Sequence, residues 1–221
     1  MNIVHLIDNM EFMNGIPDKY YELAIVDPPY GIGIANNPVR QAHNKKDWDS
    51  AIPQELYFKE LLRVSKNQII WGGNYFLDYL GATQNITVWD KKQPQDFSLA
   101  MCELAWNSIQ SPAKMFRYSV LKENGKIHPT QKPVALYKWI LKNYAKPNDK
   151  IFDSHVGSGS IRIACHDMGF DFEGCEIDKD YWEAQEERYQ MHAMQSDLFS
   201  GEEMQKEIYQ DTQLGNLDTS R

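Results

Sequence analysis

Four consecutive residues, Asp27-Pro28-Pro29-Tyr30, form the segment of this chain best suited to chemistry. They follow residues 23–26, an apolar run typical of a buried parallel strand. Each proline fixes its φ angle and lacks an N–H, so the backbone is stiff and its carbonyl groups stay free to accept hydrogen bonds. A carboxylate and a neighbouring carbonyl can together hold one exocyclic amino group, while Tyr30 offers a flat face to an aromatic ring.

Two further segments carry residues suited to holding a ligand. One places an acid at the end of a predicted strand and two glycines in the turn into a predicted helix: Phe152-Asp153-Ser154-His155-Val156-Gly157-Ser158-Gly159-Ser160. Glycines let a backbone approach a ligand closely, and a helix N-terminus favours a negative group. Glu176 lies 19 residues beyond Gly157, near the ~20 expected of an acid that binds ribose hydroxyls. The other segment is His128-Pro129-Thr130-Gln131-Lys132-Pro133.

Together these segments resemble motifs IV, I and X of the DNA amino-methyltransferases, which methylate adenine N6 or cytosine N4 with S-adenosylmethionine. Their order along the chain, IV, then X, then I, is that of the circularly permuted β group, found in bacteria and bacteriophages. The resemblance covers roughly residues 1–190. It implies an α/β protein with a three-layer, Rossmann-like methyltransferase fold and a mostly parallel, twisted sheet. It also implies a site-specific DNA methyltransferase of the kind found in restriction-modification systems.

The resemblance assigns roles to individual residues. The expected catalytic residues are Asp27, Pro28, Pro29 and Tyr30. Asp8 matches an acid that helps hold the cofactor adenine, although an aspartate that caps a turn is nearly as good an interpretation. The residues expected to bind the cofactor are Asp8, His128, Thr130, Lys132, Pro133, Asp153, Gly157, Ser158, Gly159 and Glu176. Residues 71–76 resemble the motif V region, which lines the pocket.

The implied chemistry needs no metal and no covalent intermediate. An aromatic amine is a poor nucleophile because its lone pair is delocalised into the ring. Hydrogen bonds to Asp27 and to the Pro28 carbonyl would favour a pyramidal nitrogen and aim its lone pair at the sulfonium methyl group, so that positioning and preorganised electrostatics supply most of the rate. The target base must leave the duplex to be reached, and Tyr30 would stack on it.

Alternatives remain open at this stage. The glycine loop departs from the family, since Ser154 and His155 replace a usual Pro-Phe pair and Ser160 replaces threonine. A dinucleotide site is disfavoured because Arg162 occupies the third glycine position of its pattern. The tetrapeptide at 27–30 is commoner in adenine enzymes, which makes adenine N6 the first interpretation and cytosine N4 the second. A catalytically idle DNA- or cofactor-binding relative is the third.

Length and composition favour one domain. A chain of 221 residues that is 42% hydrophobic can bury one substantial core. We expect a catalytic domain over residues 1–193 and a polar tail over 194–221. Its three cysteines form no paired framework. The sequence has no signal peptide and no apolar run near the ~18–20 residues that cross a membrane, so a soluble cytoplasmic protein is expected.

The net charge of −8 is unevenly distributed. Residues 110–150 carry nine basic and two acidic side chains, whereas residues from 171 onward carry fourteen acids and four bases. Because phosphate contacts depend on a local patch, the acidic total does not exclude DNA. We expect double-stranded DNA to contact loop 31–50 and a small recognition insert at about 107–127. The expected DNA-binding residues are Arg40, Lys45, Lys46, Lys114, Arg117 and Lys122.

Strands alternate with helices along the chain, which predicts a three-layer α/β fold. Strands are expected at 2–6, 23–26, 68–71, 86–89, 150–153 and 172–177, with another apolar segment at 101–108. Helices are expected at 54–65, 133–145, 160–168 and 180–191, with a short one after Gly73.

The tail carries one further motif. Gln195-Ser196-Asp197-Leu198-Phe199 resembles the pentapeptide by which bacterial DNA enzymes dock on the replication sliding clamp. A flexible peptide with an apolar pair can fill a small hydrophobic pocket. The alternative is that Leu198 and Phe199 fold back onto the domain's own core. The small recognition region also makes help from a second subunit, in a homodimer, an expectation.

Overall fold

An eight-stranded sheet organises the computed structural model, which describes residues 1–33, 48–94, 100–119 and 126–198, with side chains described to residue 195. The strands are β1 (Asn2–Leu6), β2 (Tyr21–Val26), β3 (Ser65–Trp71), β4 (Ile86–Asp90), β5 (Cys102–Asn107), β6 (Lys114–Arg117), β7 (Lys150–Asp153) and β8 (Asp171–Glu176). The helices are α1 (Asn9–Asn14), α2 (Glu55–Val64), α3 (Leu77–Leu80), α4 (Val134–Tyr144), α5 (Ser160–Met168) and α6 (Lys179–Leu198), with a 3₁₀ turn at Gly73–Tyr75.

The sheet is mostly parallel, as predicted. Its order is β1-β8-β7-β2-β3-β5-β4-β6. Only β5 runs against its neighbours, β3 and β4, and the other adjacent pairs are parallel. The carboxyl ends of seven strands therefore share one edge of the sheet, and the first residues of β5 lie at that same edge.

Both faces of the sheet are covered by helices, which confirms the three-layer α/β fold. Strand β2 alternates between the two faces, as period-2 side-chain geometry requires. Leu23 and Ile25 pack with residues of α4 and α5, whereas Ala24 and Val26 pack with residues of α1 and α2. Because apolar side chains face a helix layer on either side, the strand is a nearly continuous hydrophobic run.

The centre of the sheet contains a topological switch point. Strands β7 and β2 are adjacent, but the chain leaves β7 towards β8 on one side and leaves β2 towards β3 on the other. The following helices, α5 and α2, cover opposite faces. Ligands in open α/β sheets bind beyond the carboxyl ends of the strands at such a point.

Three elements differ from the sequence-based expectation. Residues expected only to turn after β1 begin α1, a six-residue helix. The predicted recognition insert at 107–127 contains β6, which pairs with β4 as an edge strand of the main sheet. Helix α6 runs to Leu198, past its expected end at 191 and across the expected domain boundary after residue 193.

No helix in the described part of the chain is long and apolar enough to span a bilayer.

Candidate active site

Four acids end four neighbouring strands. Asp8 follows β1, Glu176 ends β8, Asp153 ends β7, and Asp27 follows β2. Because these strands are adjacent and parallel in the order β1-β8-β7-β2, their ends form a row at the switch point. The structure therefore brings together four acids that the sequence singled out at four separate places.

Both carboxylate oxygens of Asp27 are engaged. The Tyr30 hydroxyl donates to Oδ1 at 2.5 Å, and the Lys132 ammonium donates to Oδ2 at 2.5 Å. Burial raises the pKa of Asp27, and the Lys132 charge opposes this rise. The carboxylate is thus a partly buried hydrogen-bond acceptor whose charged form a buried cation favours.

The ring of Tyr30 is fixed by its neighbours. Tyr75 stacks on it with ring centroids 5.1 Å apart and planes 17° apart. Gly72 adopts a φ of 69°, and a Cβ there would lie only 2.2 Å from the Tyr30 ring. Asp49 Oδ1 accepts the backbone N–H groups of Tyr30 at 2.7 Å and Gly31 at 3.0 Å. The motif V region therefore lines the site, and Tyr75 contacts Tyr30 directly.

Lys132 belongs to the Asp27 cluster. Its ammonium lies 3.1 Å from Glu103 Oε2, and Lys91 binds Glu103 Oε1 at 2.6 Å. Burial acts to raise the pKa of Glu103, but the two lysines outweigh burial and lower this pKa to about 2. The described ion pairs of Lys132 are with Asp27 and Glu103, and its predicted contact with the cofactor stays a prediction.

Sequence reasoning missed Glu103, Lys91 and Asp49. The signal for Glu103 was a charged residue in the otherwise apolar start of β5. Lys91 follows β4 directly and meets Glu103 because β4 and β5 are paired antiparallel. Asp49 lay within a polar loop that has no periodicity, so nothing there distinguished it from its neighbours.

The glycine loop joins β7 to α5. Gly157 and Gly159 have φ angles of 52° and 70°, a region that glycine adopts without the cost paid by other residues. The Gly157 N–H donates to Glu176 Oε2 at 2.9 Å, and the Asp178 N–H donates to Oε1 at 2.9 Å. A carboxylate offers about four acceptor positions, so Glu176 can also accept hydroxyl groups of a ligand.

Burial governs the two acids beside this loop. It raises the pKa of Asp153 well above the usual range, although the His155 N–H donates to Oδ1 at 2.9 Å and opposes the rise. Burial also raises the pKa of Glu176, with backbone N–H groups again opposing. The loop therefore places acceptors in a desolvated setting, where a hydrogen bond from a ligand is stronger than in water.

The segment at 128–133 packs on the glycine loop, as its predicted role requires. A Cβ on Gly157 would lie 3.7 Å from the His128 ring. His128 also packs edge-on against Tyr181, with ring centroids 4.4 Å apart, and its Nδ1 lies 3.0 Å from Thr130 Oγ1. Pro133 caps the N-terminus of α4. His128 thus lies between the glycine loop and α6.

Asp8 makes the local contacts of a helix cap. Its Oδ1 accepts the N–H groups of Met10 at 2.8 Å and Glu11 at 3.1 Å, at the first turn of α1. The side chain is exposed at the same edge as Glu176, since Leu6 pairs with Glu176 in register. Its position allows the predicted adenine contact, and the hydrogen bonds from Met10 and Glu11 are those of the alternative, a capping aspartate.

The unusual Ser154 and His155 join a polar network. Asn9 Nδ2 donates to His155 Nε2 at 3.0 Å, so the proton on Nδ1 faces Ser154 Oγ at 2.9 Å. Ser154 Oγ in turn lies 2.7 Å from the Tyr57 hydroxyl. Burial lowers the pKa of His155 to about 4, so the ring is neutral near pH 7. These substitutions link the glycine loop to α1 and α2.

The expected DNA-binding residues divide between the two ends of the sheet. Arg117, which is 63% exposed and lies 3.4 Å from Asp90, ends β6 at the edge that holds Asp27. Lys114 begins β6 at the opposite end, where its ammonium donates to Asn143 Oδ1 at 2.8 Å and lies over Tyr144. Four others lie outside the described residues: Arg40, Lys45, Lys46 and Lys122.

Comparisons with known proteins agree with this arrangement. A family model described as DNA methylase, for the N6/N4 methylases, matches residues 86–187. The type II methyltransferase M1.MboII of Moraxella bovis is 22% identical over 243 residues, with 82% of this chain and 94% of the relative covered.

Solved structures of the same kind share the fold. The crystal structure of the M1.HpyAVI–SAM complex has a TM-score of 0.61 at 20% identity, covering 85% of this chain and 100% of that one. The PvuII DNA methyltransferase, which is cytosine-N4-specific, has a TM-score of 0.62 at 13% identity, covering 84% of this chain and 85% of that one. The family match, the sequence relative and the shared fold all agree with the resemblance read from the motifs, and the chain is similar to the N6/N4 DNA methylases.

Proposed function

We propose that this protein transfers a methyl group from S-adenosylmethionine to the exocyclic N6 amine of an adenine in DNA. One observation carries the proposal: Asp27, a preoriented amine acceptor, ends a strand adjacent to the strand that leads into the glycine loop. An amine held at Asp27 and a ligand held at the loop would therefore meet at one edge of the sheet. Similarity to the DNA methylase family model and to a type II methyltransferase supports the reaction class.

The residues of the glycine loop fit S-adenosylmethionine. Glu176 has acceptor capacity for the ribose hydroxyls, and the N-terminus of α5 suits the methionine carboxylate because its first N–H groups have no partner within the helix. The solved SAM complex of M1.HpyAVI supports this choice of cofactor. When bound, the cofactor supplies an electrophilic methyl group on a sulfonium sulfur.

The residues around Asp27 then act on the amine. Asp27 and the Pro28 carbonyl accept its two N–H groups and aim the nitrogen lone pair. The two prolines hold these acceptors at fixed φ angles, so little reorganisation is needed as charge develops. The Tyr30 hydroxyl holds Asp27 in place, and because Tyr75 already stacks on the Tyr30 ring, stacking of the base on that ring stays a prediction. The reacting nitrogen loses a proton after transfer, and the Asp27 carboxylate, which accepts one of its N–H groups, would take up that proton.

DNA would approach the edge that holds Asp27. Arg117 lies there at the end of β6, and the exposed Lys92 follows the neighbouring strand β4. A base inside a duplex cannot reach Asp27, so the target nucleotide must rotate out of the helix. The positive side chains at this edge would hold the flanking phosphates.

Cytosine N4 is the second candidate target. The aspartate at the first position of the tetrapeptide favours adenine, whereas the likeness to the cytosine-N4-specific PvuII enzyme keeps cytosine in consideration. Expression in a bacterium that lacks DNA amino-methylation, followed by digestion of its genomic DNA to nucleosides, tests the proposal. N6-methyldeoxyadenosine supports it, N4-methyldeoxycytidine selects the second candidate, and neither product indicates a relative that binds without transferring.

Homodimer formation, a cytoplasmic location and docking on a sliding clamp stay predictions from the sequence. Residues 195–198 belong to α6, and Phe199 lies outside the described residues. Docking as an extended peptide would therefore require the end of α6 to unwind. A pull-down with purified clamp, comparing the wild type with the Leu198→Ala/Phe199→Ala variant, tests the clamp prediction. Equal capture of both proteins would refute it.

A further inference from the structure

A buried cation links two carboxylates beside the expected target site. Lys132, whose side chain is only 2% exposed, donates to Asp27 Oδ2 at 2.5 Å and lies 3.1 Å from Glu103 Oε2. Lys91 occupies the other oxygen of Glu103 at 2.6 Å. The four charges alternate in sign and sum to zero, so the buried Lys132 and its three partly buried neighbours each have an opposite partner, as the burial of ions requires.

The cluster is held by four different elements. Asp27 follows β2, Glu103 lies at the start of the antiparallel β5, Lys91 follows β4, and Lys132 precedes α4. Trp71, at the end of β3, separates β2 from β5, and its ring centroid lies 5.2 Å from the Lys132 ammonium. The ammonium can therefore shift between two fixed carboxylates without any movement of the sheet.

The contact between Lys132 and Asp27 conflicts with the proposed reaction. Asp27 Oδ1 already accepts the Tyr30 hydroxyl and Oδ2 accepts the ammonium, so a target amine needs one of these positions. The amine nitrogen also gains positive charge as it takes the methyl group. A cation bound to Asp27 at that moment would repel this charge and raise the barrier.

We propose that Glu103 is a positioning residue that draws Lys132 away from Asp27 when the target amine binds. The inference rests on the proposed function. In the free protein Lys132 bridges both carboxylates; with the amine in place, Lys132 pairs with Glu103 and the full charge of Asp27 faces the nitrogen. The Lys91 contact fixes Glu103 so that it can receive the ammonium without moving itself.

The charges of the cluster act on Asp27 in opposite directions. Burial raises the pKa of Asp27, Lys132 lowers it, and Glu103 raises it. Burial acts to lower the pKa of Lys132, but Asp27 and Glu103 outweigh burial and raise this pKa, so the ammonium stays charged. The titratable groups that interact with Asp27 are Lys132, Glu103, Tyr30, Tyr57, Tyr137 and Asp153.

The sign of each variant's effect follows from this. Transfer requires ionised Asp27, so activity is lost as pH falls through its pKa. Glu103→Gln removes a negative neighbour and should move this acid limb to lower pH. Lys132→Met removes the positive partner and should move the limb to higher pH, by roughly one to three units. If Glu103 and Lys132 had purely structural roles, both variants would lose activity, but the acid limb would not move to lower pH in one and to higher pH in the other.

The experiment measures the pH profile of kcat for methyl transfer from S-adenosylmethionine to unmethylated DNA. We expect Glu103→Gln to reduce kcat about tenfold or more near neutral pH, because Lys132 then remains on Asp27. The KM for S-adenosylmethionine should stay close to that of the wild type. Glu103→Asp, which keeps the charge, should restore most of the rate. Surface variants Lys66→Met and Glu55→Gln serve as matched controls for the loss of a lysine or a glutamate charge.

The outcomes separate the inference from the function on which it rests. A wild-type protein that methylates no DNA overturns both. A wild-type protein that does methylate DNA, with an acid limb that neither Glu103→Gln nor Lys132→Met displaces, overturns the inference alone. Far-ultraviolet circular dichroism establishes folding of each variant. If Glu103→Gln does not fold, the pH profile of Lys132→Met tests the proposal. An acid limb of Lys132→Met that stays in place or moves to lower pH contradicts it.

Discussion

At the scale of single residues, the partly buried Asp27 and the buried Glu176 are acids at the same sheet edge with different neighbours. Asp27 is bound by side chains, the Tyr30 hydroxyl and the Lys132 ammonium. Glu176 is bound by backbone N–H groups of the glycine loop and of residue 178. These surroundings suit Asp27 to a catalytic role and Glu176 to the binding of a neutral hydroxyl-bearing ligand.

Glu176→Ala should weaken binding of S-adenosylmethionine. A hydrogen bond to a charged group contributes about 1.5–3 kcal/mol, so we expect a loss of affinity of roughly tenfold to a hundredfold. Calorimetric titration measures the effect, and Glu183→Ala, at an exposed position of α6, is the matched control. Unchanged affinity in Glu176→Ala would remove this residue from the cofactor site.

His155→Phe should reduce the acid sensitivity of the fold. Burial lowers the pKa of His155 from 6.5 to about 4, so the unfolded chain takes up a proton in this window while the folded protein does not. Stability should therefore fall as pH decreases from 6.5 to about 4, by on the order of 3 kcal/mol from this group. Denaturant unfolding across this window should show a shallower fall for His155→Phe, and an identical fall in both proteins would contradict the assignment.

The sequence predicted the four acids at the strand ends because each follows an apolar run. It did not predict Glu103 and Lys91, since their meeting with Lys132 depends on the antiparallel placement of β5 beside β3 and β4. Nothing local to residue 103 reveals which strands will flank it. Likewise, Lys132 was assigned by motif position, and only the fold showed that its ammonium reaches Asp27.

At the scale of elements, the turn after β3 positions the Tyr30 ring. Gly72 combines a φ of 69° with close contact to that ring, whereas Gly81 has a φ of 70° and open space around its Cβ position. Gly72→Ala should displace Tyr30 and reduce methyl transfer strongly. Gly81→Ala should show only the cost of its backbone conformation, with φ 70° and ψ −172°, roughly 1–3 kcal/mol.

Rates of methyl transfer, measured beside thermal unfolding, test this pair. Both variants should lose stability, Gly72→Ala the more because its Cβ meets the Tyr30 ring, and only Gly72→Ala should lose methyl transfer while it is still folded. Equal activities in the two variants would show that the position of Tyr30 does not matter for transfer.

Long, periodic segments were predicted well, and short or edge elements were not. Helices α4 and α5 and the buried strands β2, β3 and β7 have apolar patterns that specify them locally. Helix α1 has six residues, too few for a periodic pattern, and depends on the Asp8 cap and on packing against α2. Strand β6 has no fully buried residue and is specified by its pairing with β4.

At the scale of the whole molecule, a protein with a negative net charge has to bind DNA, which is also negatively charged. The net charge of −8 repels DNA at long range. Lys92 and Arg117 are exposed at the edge that holds Asp27, so a local positive region faces the expected duplex. Orientation on the DNA would then come from a few contacts at this edge.

Lys92→Glu/Arg117→Glu should weaken DNA binding by roughly tenfold or more at low salt, and the difference should shrink as salt rises. Fluorescence anisotropy with a labelled duplex measures this effect. Lys66→Glu, which reverses a charge at the opposite end of the sheet, is the matched control. Equal losses in both variants would show that total charge, rather than this edge, governs binding.

The most direct measurement follows methyl transfer in parallel for the wild type and Asp27→Ala. Each protein is incubated with labelled S-adenosylmethionine and unmethylated genomic DNA, and the digested nucleosides are separated. We predict labelled N6-methyldeoxyadenosine from the wild type and a loss of at least about a hundredfold in Asp27→Ala, with cofactor affinity nearly unchanged. Near-normal transfer by Asp27→Ala, or label in any nucleoside other than deoxyadenosine, would contradict adenine methylation at Asp27.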